Sequence, residues 1–121
     1  MINFIRTDHI NICVAPEDLE AARIFYADVL GLQPAQRPDH VFDTPGYWFL
    51  IGGIELHIGV EKPVGLTFRH TAFEVGNLAE ARRYLETNGV TICEEPVIEG
   101  RDRFTFLDPF GNRMELLEYT C

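Results

Sequence analysis

Two histidines and two glutamates recur at matching places in the two halves of this 121-residue chain. His9 and His70 are 61 residues apart, and Glu55 and Glu115 are 60 residues apart. Two imidazoles and two carboxylates suit a six-coordinate divalent ion of the nickel, cobalt, iron or manganese type, and zinc also accepts such ligands. The repeated spacing therefore predicts one divalent metal ion bound by these four side chains, with two coordination positions left for water or a chelating substrate.

A structural interpretation of the same residues competes with this prediction. A lone histidine on a strand is more often a partly buried residue than a ligand, whereas a glutamate in an apolar strand is rarer because an unpaired carboxylate is costly to bury. His57 adds an alternative, since it lies two residues after Glu55 and faces the same side of a strand. Two ligand sets therefore stay open: Glu55 is the ligand and His57 a neighbour that faces the pocket, or His57 replaces Glu55.

The elements that must position these residues are repeated as well. His9 and His70 each open an alternating stretch typical of a strand, and both glutamates lie in an apolar-Glu-Leu triplet typical of a later strand. Each half also carries the helical pattern Leu-x-x-Ala-Arg-x-x-apolar, followed by a glycine that can end a helix. Each half is therefore predicted to run strand, helix and three strands.

The pattern also predicts the approximate bounds of these elements. The first helix is expected to begin at Pro16 and to stop at Gly31, and the second to be capped by Asn77 and to stop at Gly89. The apolar face expected for the first helix comprises Leu19, Ala22, Ile24, Phe25, Val29 and Leu30. The expected strands are 9–14, 32–37, 47–51, 54–60, 68–75, 90–95, 103–107 and 112–119, with tight turns at 52–53 and 108–112.

Composition excludes several classes of partner. A net charge of −9 argues against nucleic acid or an anionic membrane surface, and no apolar run approaches the roughly 18–20 residues that span a bilayer. An odd number of cysteines (Cys13, Cys93 and Cys121) and a start without a signal-peptide pattern predict a cytoplasmic protein. The hydrophobic fraction of 46% supports a buried core, but modules of about 55–60 residues are marginal alone, which favours pairing of the halves within or between chains.

Four segments together carry a resemblance to a known family. They are Asp8-His9-Ile10, Phe25-Tyr26-x-x-x-Leu30-Gly31-Leu32, Arg69-His70-x-x-Phe73 and Asp108-Pro109-x-Gly111-Asn112-x-x-Glu115-Leu116. The chain resembles, over nearly its whole length, the vicinal oxygen chelate superfamily, which includes glyoxalase I, methylmalonyl-CoA epimerase, extradiol dioxygenases and the fosfomycin- and bleomycin-resistance proteins. The resemblance implies an α+β fold in which two paired βαβββ modules form a curved mixed sheet around a metal site. It implies one glyoxalase-like domain over 1–121, with module one at about 5–61, a linker at 62–66 and module two at about 67–121, and usually a homodimer.

The resemblance also implies a function and its alternatives. Glyoxalase I and the epimerase use four protein ligands, so the first hypothesis is a lyase or isomerase that acts on a small vicinal-oxygen substrate through a metal-stabilised enediolate or enolate. A non-haem iron extradiol-type dioxygenase is the first alternative, because it would need only His9, His70 and Glu115. A non-catalytic small-molecule binding protein of the bleomycin-resistance type is the second, although such relatives lack the ligands that this chain retains. The sequence shows no lysine- and serine-bearing loop of the kind that a fosfomycin enzyme would need.

Roles within the expected site are assigned from the chemistry that the superfamily shares and from the strand faces that carry the ligands. Glu115 is the first choice for the carboxylate that moves a proton at the carbon next to the chelated oxygens, and Glu55 is the second. The substrate, a small molecule, is expected to contact side chains on the strand faces that carry the ligands and nearby aromatic and basic residues: Asn11, Trp48, His57, Arg101, Arg103 and Phe104. Core packing competes with this role for the aromatic residues, and exposure in a loop competes with it for the arginines.

Overall fold

The computed structural model describes residues 1–120, so Cys121 lies outside the described residues. Contacts divide the chain into two compact units, and the division falls between Pro63 and Val64. Each unit contains one four-stranded mixed sheet and one main helical segment. The prediction of an α+β fold with strand, helix and three strands in each half is therefore confirmed.

The first unit builds its sheet in the order β1-β4-β3-β2. Its strands are β1 (His9–Val14), β2 (Pro34–Ala35), β3 (Tyr47–Ile51) and β4 (Ile54–Val60). The first and last of these run parallel, whereas β3 runs antiparallel to both β4 and β2. The helical segment between β1 and β2 consists of a 3-10 turn (Pro16–Asp18), helix α1 (Leu19–Ile24) and a π-helical turn (Phe25–Val29).

The second unit repeats this topology with the order β5-β8-β7-β6. Its elements are β5 (His70–Glu74), helix α2 (Leu78–Thr87), β6 (Thr91–Cys93), β7 (Arg101–Leu107) and β8 (Arg113–Tyr119). Strands β5 and β8 are parallel, and the other two pairs are antiparallel. In both units the parallel pair therefore joins the strand that opens with a histidine to the strand that carries a glutamate.

Each unit has its own apolar core on one face of its sheet. In the first unit Tyr26 of the helical segment packs near Phe49 of β3, and Leu56 and Ile58 of β4 are buried. In the second unit the buried side chains are Leu78 and Leu85 of α2, Phe104 and Phe106 of β7, and Met114 of β8. Because strand side chains alternate between faces, the residues between these core positions point to the opposite face of each sheet. The four candidate metal ligands lie on that opposite face.

Local signals in the sequence account for most element ends. The Asn77 side chain accepts a hydrogen bond from the Glu80 backbone N–H at 3.1 Å, as expected for the cap of α2. Gly52 has φ +59 in the turn between β3 and β4, and Gly89 has φ +75 after α2. Asp108 Oδ1 accepts backbone N–H bonds from Phe110 and Asn112, which folds the predicted turn before β8.

The structure differs from the prediction in the first helix and in the shorter strands. The expected continuous helix consists of three short segments. A 3-10 turn begins at Pro16, and the wider π turn begins at two adjacent buried aromatic residues, Phe25 and Tyr26. Ile24, expected on the apolar face, is exposed. The strand expected over 32–37 has only two residues, whereas β7 begins at Arg101, two residues before its expected start, so Arg101 lies in the strand together with Arg103.

Candidate functional site

The polar face of the first sheet gathers five of the predicted site residues. Glu55 lies directly opposite His9 across the parallel pair β1–β4. His57 lies opposite Asn11 on β1 and opposite Trp48 on β3. Residues opposite each other on paired strands point to the same face. The first sheet therefore presents the two ligands expected from the first half together with three of the expected pocket residues.

The imidazole of His9 is held by the residue before it. His9 Nδ1 lies 2.8 Å from Asp8 Oδ2, and this hydrogen bond, aided by the charge of Arg6, lowers the pKa of Asp8 below its ordinary value. An ionised carboxylate can only accept a hydrogen bond, so Nδ1 carries a proton and Nε2 is the ring nitrogen that could bind a metal. Histidines that bind metals are commonly oriented by such a carboxylate. Asp8 was not predicted as part of the site, and its position directly before His9 was the available signal.

Three aromatic rings form a stack on this face. The ring of His57 lies 3.9 Å from the Trp48 ring, centroid to centroid, with 3° between the planes. Its other face lies 4.1 Å from the His9 ring, with 19° between the planes. His57 Nε2 is also 2.9 Å from Glu55 Oε1. One imidazole thus connects the first unit's two candidate ligands.

A pocket opens beside Glu55 in the first unit. It has a volume of about 300 Å³ and is lined by Arg6, Asp8, Leu50, the turn residues 52–53, Ile54 and Glu55. The Arg6 guanidinium donates to the Thr7 carbonyl and to Asp8 Oδ1. A cavity of this volume lies at the lower end of the range for small-molecule sites, about 300–1,000 Å³.

The second sheet brings His70 and Glu115 together. His70 Nδ1 lies 2.8 Å from the Phe68 carbonyl oxygen, which can only accept, so this nitrogen carries the proton. His70 Nε2 lies 3.2 Å from Glu115 Oε1. The Glu115 side chain is only 7% exposed, and it is the most buried of the four candidate ligands. Nε2, the other ring nitrogen of His70, thus lies beside the carboxylate that shares its sheet face.

Arg103 is engaged by the protein itself. Its Nη1 donates to Glu115 Oε1 at 3.4 Å and its Nη2 donates to the Pro96 carbonyl at 2.8 Å. Its Nε is buried without a hydrogen-bond partner among residues 1–120. The guanidinium thus contributes a positive charge to the buried Glu115 carboxylate. This placement does not support the expectation that Arg103 is held free for a substrate anion.

Phe104 and Arg101, the two other residues of the second unit predicted to contact a substrate, point to different faces of β7. Phe104 is 1% exposed and lies on the core face of β7, below the guanidinium of Arg82 from α2, so the expectation that it contacts a substrate is not supported. Arg101 lies on the same face of β7 as Arg103, because the two are two residues apart, and its guanidinium packs over the Tyr119 ring. Arg101 therefore stays a candidate for contact with a substrate anion.

The described side chains fit a divalent ion in their chemistry. Among residues 1–120, no group of three or more His, Cys, Asp or Glu side chains lies close enough together to hold a metal ion. Each unit instead supplies one histidine with its Nδ1 engaged and one glutamate on the same face. Neighbouring ligands with bonds of about 2.1 Å to one ion lie about 3 Å apart, close to the separation of His70 Nε2 from Glu115 Oε1.

Comparison with known proteins places the chain in a family. The model of the Glyoxalase/Bleomycin resistance protein/Dioxygenase superfamily matches residues 6–116, a range that includes all four candidate ligands. The chain belongs to this superfamily, as the resemblance predicted. No curated protein matches the chain with comparable significance.

Solved structures with sequence identities of 33%, 22% and 24% share the fold of this chain. A Bacillus anthracis protein assigned to the glyoxalase family is 33% identical, with a TM-score of 0.87, and the match covers 99% of this chain and 100% of that one. The fosfomycin resistance protein FosX from Listeria monocytogenes is 22% identical over 99% of this chain and 96% of its own, with a TM-score of 0.77. An integron cassette protein from the V. cholerae mobile metagenome is 24% identical over 99% of both chains, with a TM-score of 0.75. The last two likenesses show the fold alone.

The length and composition of the helices bear on whether they could cross a membrane. Among the residues that the structure describes, no helix is long and apolar enough to cross a membrane.

Proposed function

We propose that this chain is a metal-dependent enzyme of the glyoxalase I type, a lyase or isomerase that acts on a small substrate with two neighbouring oxygens. One observation carries the proposal. His9 and His70 each have Nδ1 hydrogen-bonded to an acceptor, so Nε2 is the nitrogen that each ring could offer to a metal, and each shares a sheet face with a glutamate. Packing alone gives no reason for this arrangement to occur twice.

We assign one divalent ion, nickel, cobalt, iron, manganese or zinc, to His9, Glu55, His70 and Glu115. When bound, the ion supplies Lewis-acid polarisation of the two substrate oxygens. The protein's own part is to fix the imidazole orientations through Asp8 and the Phe68 carbonyl. The proposal that two βαβββ modules curve around this ion, within one domain with a linker at 62–66, belongs to the same hypothesis.

Proton transfer at the carbon next to the chelated oxygens is assigned to Glu115, with Glu55 as the second carboxylate. Burial of Glu115 excludes water from its carboxylate, and a dry environment strengthens its interaction with developing charge. Arg103 supplies the compensating positive charge. Glu55 is more exposed and lines the pocket of about 300 Å³, so it has direct access to a substrate in that pocket.

Substrate contact is assigned to Asn11, Trp48 and His57 on the first sheet and to Arg101 on the second. The second partner in the proposal is another copy of the chain. Large apolar side chains near the predicted linker are strongly exposed, at 85% for Val64, 72% for Leu66 and 90% for Phe68. Exposed apolar clusters of this kind commonly mark interfaces between proteins, which supports a homodimer. Cytoplasmic localisation stays a prediction from the sequence.

Metal content tests the proposal directly. Purified wild-type protein and the Glu55→Gln and Glu115→Gln variants should be analysed by mass spectrometry as isolated and after loading with nickel, cobalt, manganese, iron or zinc. We expect close to one ion per chain in wild type, and loss of the ion in both variants. Glu99→Gln, at an exposed position, is the matched control and should bind as wild type.

Activity follows with hemithioacetals and 2-oxo thioesters as substrates for the loaded protein. Retention of the ion in Glu55→Gln, together with oxygen uptake in the presence of catechols, would favour the three-ligand iron dioxygenase over the lyase. Absence of bound metal under every loading condition would remove the enzyme hypothesis and favour a small-molecule binding protein.

A further inference from the structure

We propose that His57 is a positioning residue that holds the Glu55 carboxylate in place, and that it is not the fourth metal ligand. The proposal rests on the function proposed above, and it chooses between the two ligand sets that the sequence leaves open. It is carried by the geometry of one ring, which is confined on both faces and bonded at its edge.

Confinement of the His57 ring is the first step. The Trp48 indole and the His9 imidazole cover its two faces at 3.9 Å and 4.1 Å, and the side chain is only 11% exposed. Rotation of the ring about its bond to Cβ would drive it into one of these neighbours. The ring plane is therefore set by packing, as is required of a residue that orients another one.

The stack continues away from the sheet into the loop before β3. The Phe42 ring meets Trp48 edge to face at 5.9 Å, and the Arg37 guanidinium lies 4.5 Å from the centre of the Phe42 ring. Arg37 also donates to the Thr44 carbonyl at 2.7 Å. The outer face of the stack is thus supported by a loop that is itself hydrogen-bonded, and Trp48 in turn supports the His57 ring.

The edge of the ring provides the second step. His57 Nε2 lies 2.9 Å from Glu55 Oε1, a hydrogen-bond distance, so this edge of the ring is occupied by the carboxylate. The nitrogen of His57 that points toward Glu55 is therefore committed to the carboxylate. Ligating carboxylates are commonly hydrogen-bonded by outer neighbours in this way.

In the second unit a different residue, Arg103, forms the hydrogen bond to the glutamate. Leu117 follows Glu115 by two residues in the sequence, as His57 follows Glu55, and its side chain cannot donate a hydrogen bond. Arg103, opposite Leu117 on β7, donates to Glu115 instead. Each glutamate is thus held by a donor from its own sheet face, which supports a positioning role for His57.

Two substitutions at His57 distinguish the effect of its hydrogen bond to Glu55 from the effect of its stacking between Trp48 and His9. His57→Phe keeps a flat ring between Trp48 and His9 but removes the N–H donor. His57→Gln keeps an N–H donor but removes the ring, and it serves as the second variant if the first folds poorly. The dissociation constant and stoichiometry of Mn²⁺ should be measured for both variants by calorimetry, beside wild type and Glu55→Gln.

A positioning role predicts an intermediate result. His57→Phe should keep the wild-type stoichiometry and bind Mn²⁺ about 10–100-fold more weakly, and His57→Gln should recover part of that loss. Loss of stoichiometric binding in both variants, as in Glu55→Gln, would identify His57 as a ligand and overturn the proposal. Wild-type affinity in His57→Phe would also overturn it, because the bond to Glu55 would then have no effect.

A second measurement needs no metal. Unfolding in urea of wild type, His57→Phe, Glu55→Gln and the double variant forms a cycle that reports the coupling of the two side chains in the metal-free protein. We expect the effects not to add. Coupling without any metal binding would mean that the proposed function fails while His57 still holds Glu55, whereas metal binding with additive effects would mean the reverse.

Discussion

Glu55 lies directly opposite His9 on the neighbouring strand, whereas Glu115 lies opposite Ala72, two residues beyond His70. The strand pairing of the two repeats thus differs by two positions. A shift of two residues preserves the face to which a strand side chain points, so both histidines still share a face with their glutamates. The two glutamates nevertheless have different neighbours. His57 lies within hydrogen-bond distance of Glu55, whereas Arg103 donates a hydrogen bond to Glu115.

Asp8 should matter for metal binding through His9. Asp8→Asn keeps a hydrogen-bond acceptor for Nδ1 but removes the negative charge, so the Nε2 lone pair becomes a weaker ligand. We expect the dissociation constant for Mn²⁺ or Ni²⁺ to rise about 10-fold, measured by calorimetry. Asp39→Asn, in an exposed turn, is the control. Equal affinity in the two variants would show that Asp8 does not orient His9.

Arg103 should contribute more to stability than Arg101. Arg103→Met removes the guanidinium from the buried Glu115 carboxylate, and breaking a buried pair costs about 3–5 kcal/mol. Arg101→Met removes an exposed contact with Tyr119 and should cost less than about 1 kcal/mol. Urea unfolding of both variants measures the difference. A double variant, Arg103→Met with Glu115→Met, should recover much of the loss, and a loss as large as in Arg103→Met alone would contradict the pairing.

Gly46 should be intolerant of a side chain. A Cβ at this position would lie 2.6 Å from the Ile58 carbonyl oxygen, which belongs to the backbone of β4 and cannot move aside cheaply. Gly46→Ala should destabilise the protein by about 1–3 kcal/mol and alter the fluorescence of Trp48, the single tryptophan, because this loop supports the Trp48 ring. Gly53→Ala, with no atom within 4 Å of its added Cβ, is the control. Similar unfolding midpoints for the two variants would contradict the close approach.

Glu20 should stabilise the first unit in a pH-dependent way. Hydrogen bonds from Arg23 and Tyr47 lower the pKa of Glu20 below its ordinary value of 4.5. A carboxyl whose folded pKa is lowered contributes stability above its unfolded pKa, and the contribution is lost as the pH falls through the folded pKa. Wild type should therefore melt at a higher temperature than Glu20→Gln at about pH 7, and the gap should close in acid. A gap that persists at about pH 2 would assign it to packing instead of charge.

Several elements could be predicted from the sequence because their causes are local. Strands β1, β3 and β4 begin and end where alternation and the 52–53 turn placed them. The cap of α2 by Asn77 depends on residues three positions apart. The grouping of His9, Asn11, Glu55 and His57 on one face also follows from alternation, once their strands are paired.

The tertiary structure alone decided which residues touch within each face. Alternation predicts the face of a strand but not its register, so the opposition of Glu55 to His9, and of Glu115 to Ala72, could not be read from spacing. The same holds for Arg103, which turns to Glu115 and Pro96, and for Phe104, which turns to the core. Residue type and the two-residue period of a strand therefore identify the side chains that could do chemistry. The pairing of strands that are distant in the sequence determines which other side chains they contact.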